Sequence, residues 1–144
     1  MNNEKNLFED YGRICEDDGA INPVNLEFYL SFINMSDDHM KALIRQIIIA
    51  QSDDINRIMF SQDQESQDRE KDIYNMILNV LSLISHGYLS IGEDGDLRCF
   101  KPVGPAPDDE TQQLIEKQIS HAEGFIYDVF QELSAEQKQR QSSQ

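Results

Sequence analysis

Ile73-Tyr74-Asn75-Met76-Ile77-Leu78-Asn79-Val80-Leu81-Ser82-Leu83-Ile84-Ser85-His86-Gly87 is the stretch that decides the fold class. Its apolar residues leave little polar circumference on a helix, and a helix apolar nearly all round belongs at the centre of a helical protein. The spacing predicts a helix from about Gln67 to His86. Gly87 ends it, because glycine takes the left-handed conformation of a C-terminal cap without penalty.

A hairpin is expected immediately afterwards, within residues 88–100. Tyr88-Leu89-Ser90-Ile91 and Leu97-Arg98-Cys99-Phe100 flank the turn-forming run Gly92-Glu93-Asp94-Gly95-Asp96. A two-residue Asp94-Gly95 turn would set Ile91 opposite Arg98 and Glu93 opposite Asp96, a like-charge pair. Treating all five residues as the loop pairs Ile91 with Leu97 and Leu89 with Cys99, and side-chain alternation favours that register. A helix that runs straight into a hairpin also occurs in winged-helix domains, a fold-level analogy.

Further helices follow on both sides. Leu7, Phe8, Tyr11, Ile14 and Cys15 have the three-and-four spacing of an amphipathic helix that stops near Asp18. Asn22-Pro23 reads as an N-cap followed by proline in the first turn, opening a helix that ends near Asn34. Ser36 opens the next, and its stripe Met40, Leu43, Ile44, Ile47, Ile48 and Gln51 continues into Ile55, Ile58 and Met59. The stripe favours one long helix to about Phe60, although Ser52-Asp53-Asp54 repeats the cap chemistry. Residues 101–107 hold three of the four prolines and read as an extended connector. The last helix runs from about Asp108 to about Lys138, and a disordered tail is expected over 139–144. The expectation is therefore a single, mainly α domain over 1–138: about five bundled helices and one short hairpin.

Charge bounds the function. Twelve basic against twenty-seven acidic residues give a net charge of −15. Direct binding to nucleic acid or an anionic membrane needs clustered Lys and Arg, so neither is expected. No apolar run approaches the roughly 20 residues of a membrane span. Met1-Asn2-Asn3-Glu4-Lys5 lacks the basic head and apolar stretch of a signal peptide. Only Cys15 and Cys99 occur, which suits reduced cysteines in a cytoplasmic protein.

Reactive constellations are scarce. Aligning Gly19 with the invariant glycine of a calcium loop puts Ile14 and Asn25 at the anchor positions, which need acids. Four Asp-Asp pairs begin at Asp17, Asp37, Asp53 and Asp108, and three of these sit at helix starts, where carboxylates complement the dipole. His39, His86 and His121 are scattered, with no second ligand at metal spacing. There is no nucleophile elbow, phosphate loop or dinucleotide turn. No cofactor, metal or catalytic residue is expected.

Binding surfaces remain. Ile115, Ile119, Ala122, Ile126, Val129 and Leu133 alternate steps of four and three, a coiled-coil-like seam. Such a stripe must be covered, most commonly by the chain's own helix at 73–84, otherwise by a second copy or a partner. Ile115, Ile119, Ile126, Val129 and Leu133, with the acidic loop residues Glu93, Asp94 and Asp96, are the candidate partner-binding residues. The sequence thus points to a non-catalytic, acidic protein-binding module for a basic macromolecule: an adaptor, accessory subunit, secretion chaperone or immunity-type inhibitor, with a homodimer as a further association. The alternative is a nucleic-acid mimic, whose carboxylates would block a DNA- or RNA-binding protein.

Overall fold

Cap chemistry places most of the boundaries in the computed structural model, which describes residues 20–60, 62 and 66–142. Strand β1 (Ile21–Pro23) leads into helices α1 (Leu26–Ile33), α2 (Asp37–Ala50), α3 (Ser52–Met59) and α4 (Ser66–Ser85). Strands β2 (Leu89–Ile91), β3 (Leu97–Cys99) and β4 (Lys101–Val103) follow, and α5 (Asp109–Ser142) closes the chain's described part. The fold is mainly α, as expected. The helix read at 7–18, Cys15 and the first half of the calcium-loop segment lie outside the described residues.

Helix α4 is central. Between Ile73 and His86 only Asn75 and Asn79 are exposed, while Ile77, Val80, Leu81, Leu83 and Ser85 have no accessible surface. Helices α2 and α5 flank it. Gln112 meets His86 and Phe130 stacks on Tyr74, so α5 runs antiparallel to α4. Asp37 meets His121 and Arg45 meets Glu136, so α2 and α5 run in the same sense.

Gly87 ends α4 as its sequence implies. Its φ is 90°, its N–H donates to the Ile84 carbonyl at 3.1 Å, and the Tyr88 N–H donates to Leu83 at 2.9 Å. These two bonds satisfy carbonyls the helix end would otherwise leave open. The hairpin then has the five-residue loop and the alternation-derived register, Leu89 opposite Cys99 and Ile91 opposite Leu97.

Four expectations need correction. Asn22 and Pro23 belong to β1, which pairs parallel with β4 in the register Ile21–Lys101 and Pro23–Val103. The N-cap is Asn25, whose side chain accepts from the Phe28 N–H at 3.0 Å; Asn22 Nδ2 instead donates to the Gly87 carbonyl. Three of the seven residues of the proline-rich connector are therefore strand, and Pro102 is tolerated in a two-stranded pairing, which is all edge. Second, the helix expected over 36–60 is two helices that meet at Gln51. Third, α5 continues through Ser142 rather than yielding to a tail at 139, since Gln, Lys and Arg prolong a helix when neither Gly nor Pro intervenes. Fourth, Cys99 is disulfide-bonded, which removes the support a reduced pair lent to a reducing compartment; cysteine count sets only a tendency. Among the described residues no helix is long and apolar enough to cross a membrane.

Candidate interaction groove

A surface hollow lies beside the junction of α2 and α3 at Gln51. Helix α2 buries Met40, Ile44, Ile47 and Ile48 against the core. At Gln51 the backbone relaxes to φ −110° and ψ 21°, yet its N–H still reaches the Ile47 carbonyl and its own carbonyl accepts from Ile55, both at 3.0 Å. Those two bonds close α2 and open α3, so Gln51 is the boundary between the two helices. No side chain caps α3; Asp53 and Asp54 occupy its first turn, and Arg57 pairs with Asp54. The Gln51 side chain is buried, and its Oε1 has no hydrogen-bond partner.

Between the α2–α3 pair and the distal part of α5 lies a hollow of about 410 Å³. Buried Ile48 and Ile55 form its base, with half-buried Phe130 and Leu133 from α5. Its outer wall is Ile49 (46% exposed), Met59 (47%) and Phe60 (77%). Three of the eight exposed large apolar side chains among the described residues therefore gather on one feature.

The rim is charged. Arg45 Nη1 donates to Glu136 Oε1 at 3.0 Å and Nη2 to Oε2 at 2.6 Å, a two-pronged pair. The Glu136 carboxylate holds the Arg45 guanidinium above its ordinary range, and the nearby Glu132 charge adds to this. At the base of this end Tyr74 lies parallel to Phe130, ring centres 6.5 Å apart. Burial raises the Tyr74 hydroxyl pKa, and Glu70 adds to the rise. This site has walls, charge and space, but no nucleophile–base pair.

The residues singled out in the sequence fall elsewhere, with one exception. Ile115 and Ile126 are fully buried, Val129 is 2% exposed, and Ile119 is half-buried. The seam is closed by the chain's own helices, the commoner of the two covers weighed above. Leu133 alone of the five reaches the groove. Glu93, Asp94 and Asp96 are exposed at the hairpin tip, where Asp94 Oδ1 accepts the Asp96 N–H at 3.2 Å. Among the described residues no three His, Cys, Asp or Glu side chains converge to hold a metal.

Each histidine has a local partner. His39 Nδ1 faces the Ser36 hydroxyl that caps α2. His86 lies between the Ser82 carbonyl and Gln112 Oε1, and His121 between Asp37 and the edge of Phe125. The sequence reading took Met59 as part of the apolar stripe and Phe60 as a helix end and passed over Ile49, so none was read as a groove residue, although Ile47-Ile48-Ile49 carried a signal. Three consecutive side chains on a helix point about 100° apart, so one of them must leave the core face. Compared with known proteins, the chain matches no family model, no curated protein and no solved structure; the helix-then-hairpin order is all that supports a winged-helix comparison.

Proposed function

We propose that this chain is a non-catalytic protein-binding module for a partner with a basic surface, acting as an adaptor, accessory subunit, secretion chaperone or immunity-type inhibitor. The observation that carries the reading is the open apolar groove of Ile49, Met59 and Phe60 on a chain of net charge −15. An apolar hollow with a charged rim is the anatomy of a protein interface. Covering it returns roughly 1.5–3 kcal/mol for each large side chain taken fully out of water. The surrounding negative charge speeds encounter with a cationic partner and excludes anionic ones. A nucleic-acid mimic would leave the hollow without a role, and the acids on the exposed side of α5 are interrupted by Leu114, Lys117 and Tyr127.

The test is capture of host proteins on the immobilised intact chain beside its Phe60→Asp variant. Retention of a defined basic protein by the first and its loss from the second supports the reading. Retention of the same proteins by both moves the contact off the groove. Stoichiometric capture of a nucleic-acid-binding protein through its DNA or RNA groove would favour the mimic.

A further inference from the structure

We infer that the groove takes one amphipathic, cationic helix of the partner, about two turns of it, with bulky apolar side chains inserted between α3 and α5 and Lys or Arg on its flank toward Glu132, Glu136 and Asp53. This rests on the protein-binding reading and names the form of its ligand. Both walls are helices, and among the described residues no strand lines the hollow, so a strand would find no backbone to pair with. The α3 wall presents Ile55 and Met59, one helical turn apart. Residues at that spacing stand about 5–6 Å apart and match anchors four apart on an incoming helix. From Ser52 to Phe60 the wall is roughly 12 Å long, which sets the two-turn footprint.

Charge selects the sign of the ligand. Arg45, which lines the hollow, is held by Glu136, and Arg57, beside the lining residue Asn56, by Asp54, so these two described cations already face carboxylates. Glu132 stands near the Arg45 pair and exposed Asp53 follows the groove residue Ser52 in the first turn of α3. With Glu132 and Asp53 added, the described side chains around the hollow are net negative, and a second copy of this chain would bring another −15 to it.

The probe is a labelled synthetic peptide of about 15 residues, Leu and Lys arranged with apolar positions at i, i+3, i+4 and i+7. Its controls are a same-composition peptide in strict alternation and a Leu/Glu helical peptide. Titrated into the intact chain, the helical Leu/Lys peptide should bind at least about tenfold tighter than either control, and about fivefold weaker when salt rises from about 0.05 to 0.3 M. Phe60→Asp and Met59→Asp should each weaken it about tenfold, and Ile21→Asp, on β1, should leave it unchanged. Phe60→Ser serves as a second variant if circular dichroism shows that an aspartate disturbs the fold. Equal binding of the alternating peptide, or equal loss at Ile21 and Phe60, would overturn the helical occupant. So would sedimentation showing a dimer that Phe60→Asp dissociates. If the peptides fail while host capture still retains a basic protein, the groove assignment falls and the protein-binding reading stands; if capture retains none, that reading falls as well.

Discussion

The two ends of α5 solve the same problem in opposite ways. At its start, polar side chains fix the surrounding backbone. Asp108 caps the helix through the Thr111 N–H at 2.7 Å, Gln112 meets His86, Tyr29 Oη donates to the Pro105 carbonyl at 2.8 Å, and Asn22 holds Gly87. At its far end the contacts are apolar, one two-pronged ion pair spans the rim, and Phe60 stands 77% exposed. Directional bonds specify one arrangement and leave little to add. Apolar walls specify a shape that a second body can complete. The difference gives one end directional bonds that close it and leaves the other an open apolar surface, the one the proposed function uses.

The sharpest way to break that division is to place the same charge under and on the groove. Ile126 is fully buried in the seam, one turn before Phe130. Ile126→Asp should cost about 4 kcal/mol or more, because an unpaired carboxylate enters the core, and the domain should melt far earlier or unfold. Phe60→Asp should change stability by no more than about 0.5 kcal/mol. Urea denaturation measures both. A folded, equally stable Ile126→Asp protein would mean that the seam is not the core and that the two ends do not differ as described.

A smaller loss is expected at the β1–β4 pair. Gly104 has φ 138°, and a Cβ there would stand 2.0 Å from the Val24 carbonyl oxygen, a backbone atom with no room to yield. Gly104→Ala should cost about 2 kcal/mol and loosen the Val24 N–H bond to Val103, now 2.9 Å. Faster hydrogen exchange at the Val24 and Lys101 amides, with the α2–α5 amides unchanged, would confirm that the strain is local. Uniformly faster exchange would show that the strand pair governs the whole fold.

Which parts were legible follows from how far apart the deciding residues lie. The central helix, its Gly87 cap and the hairpin register are local patterns, each contained in a few turns or one alternation, and all three read correctly. The β1–β4 pair joins Ile21 to Lys101 across 80 residues with three residues a side, too short to carry a period and too distant to betray a partner. Asn22-Pro23 imitated a helix start that Asn25 supplies. The stripe through Ile47, Ile48, Ile55 and Met59 keeps helical spacing across Gln51, so periodicity could not reveal the boundary between α2 and α3 beside the groove. The seam on α5 announced that it must be covered without saying by what. Burial by α2 and α4 is a tertiary outcome, and it left Leu133 as the one candidate that lines the groove.

The smallest effect concerns the cap that fixes the closed end. Thr111 hydrogen-bonds the Asp108 carboxylate, its hydroxyl first and its backbone N–H second, and this lowers the Asp108 pKa below its ordinary 3.8. A carboxylate whose pKa is lower folded than unfolded adds stability that is fully present above the unfolded value and disappears as pH falls through the folded one. Asp108→Ala should therefore lower Tm by about 3 °C near neutral pH. That gap should persist down to roughly pH 4 and close progressively on further acidification. Asp108→Asn separates hydrogen bonding from charge. Asparagine caps about as well as aspartate, so its Tm should exceed that of the alanine variant by an amount that does not vary with pH, while only the aspartate protein shows the acid-limb loss. If the wild-type–alanine gap stayed constant to pH 2 (about two units below the ordinary Asp value), the cap would act through geometry alone, and charge would have no part in holding the closed end of α5.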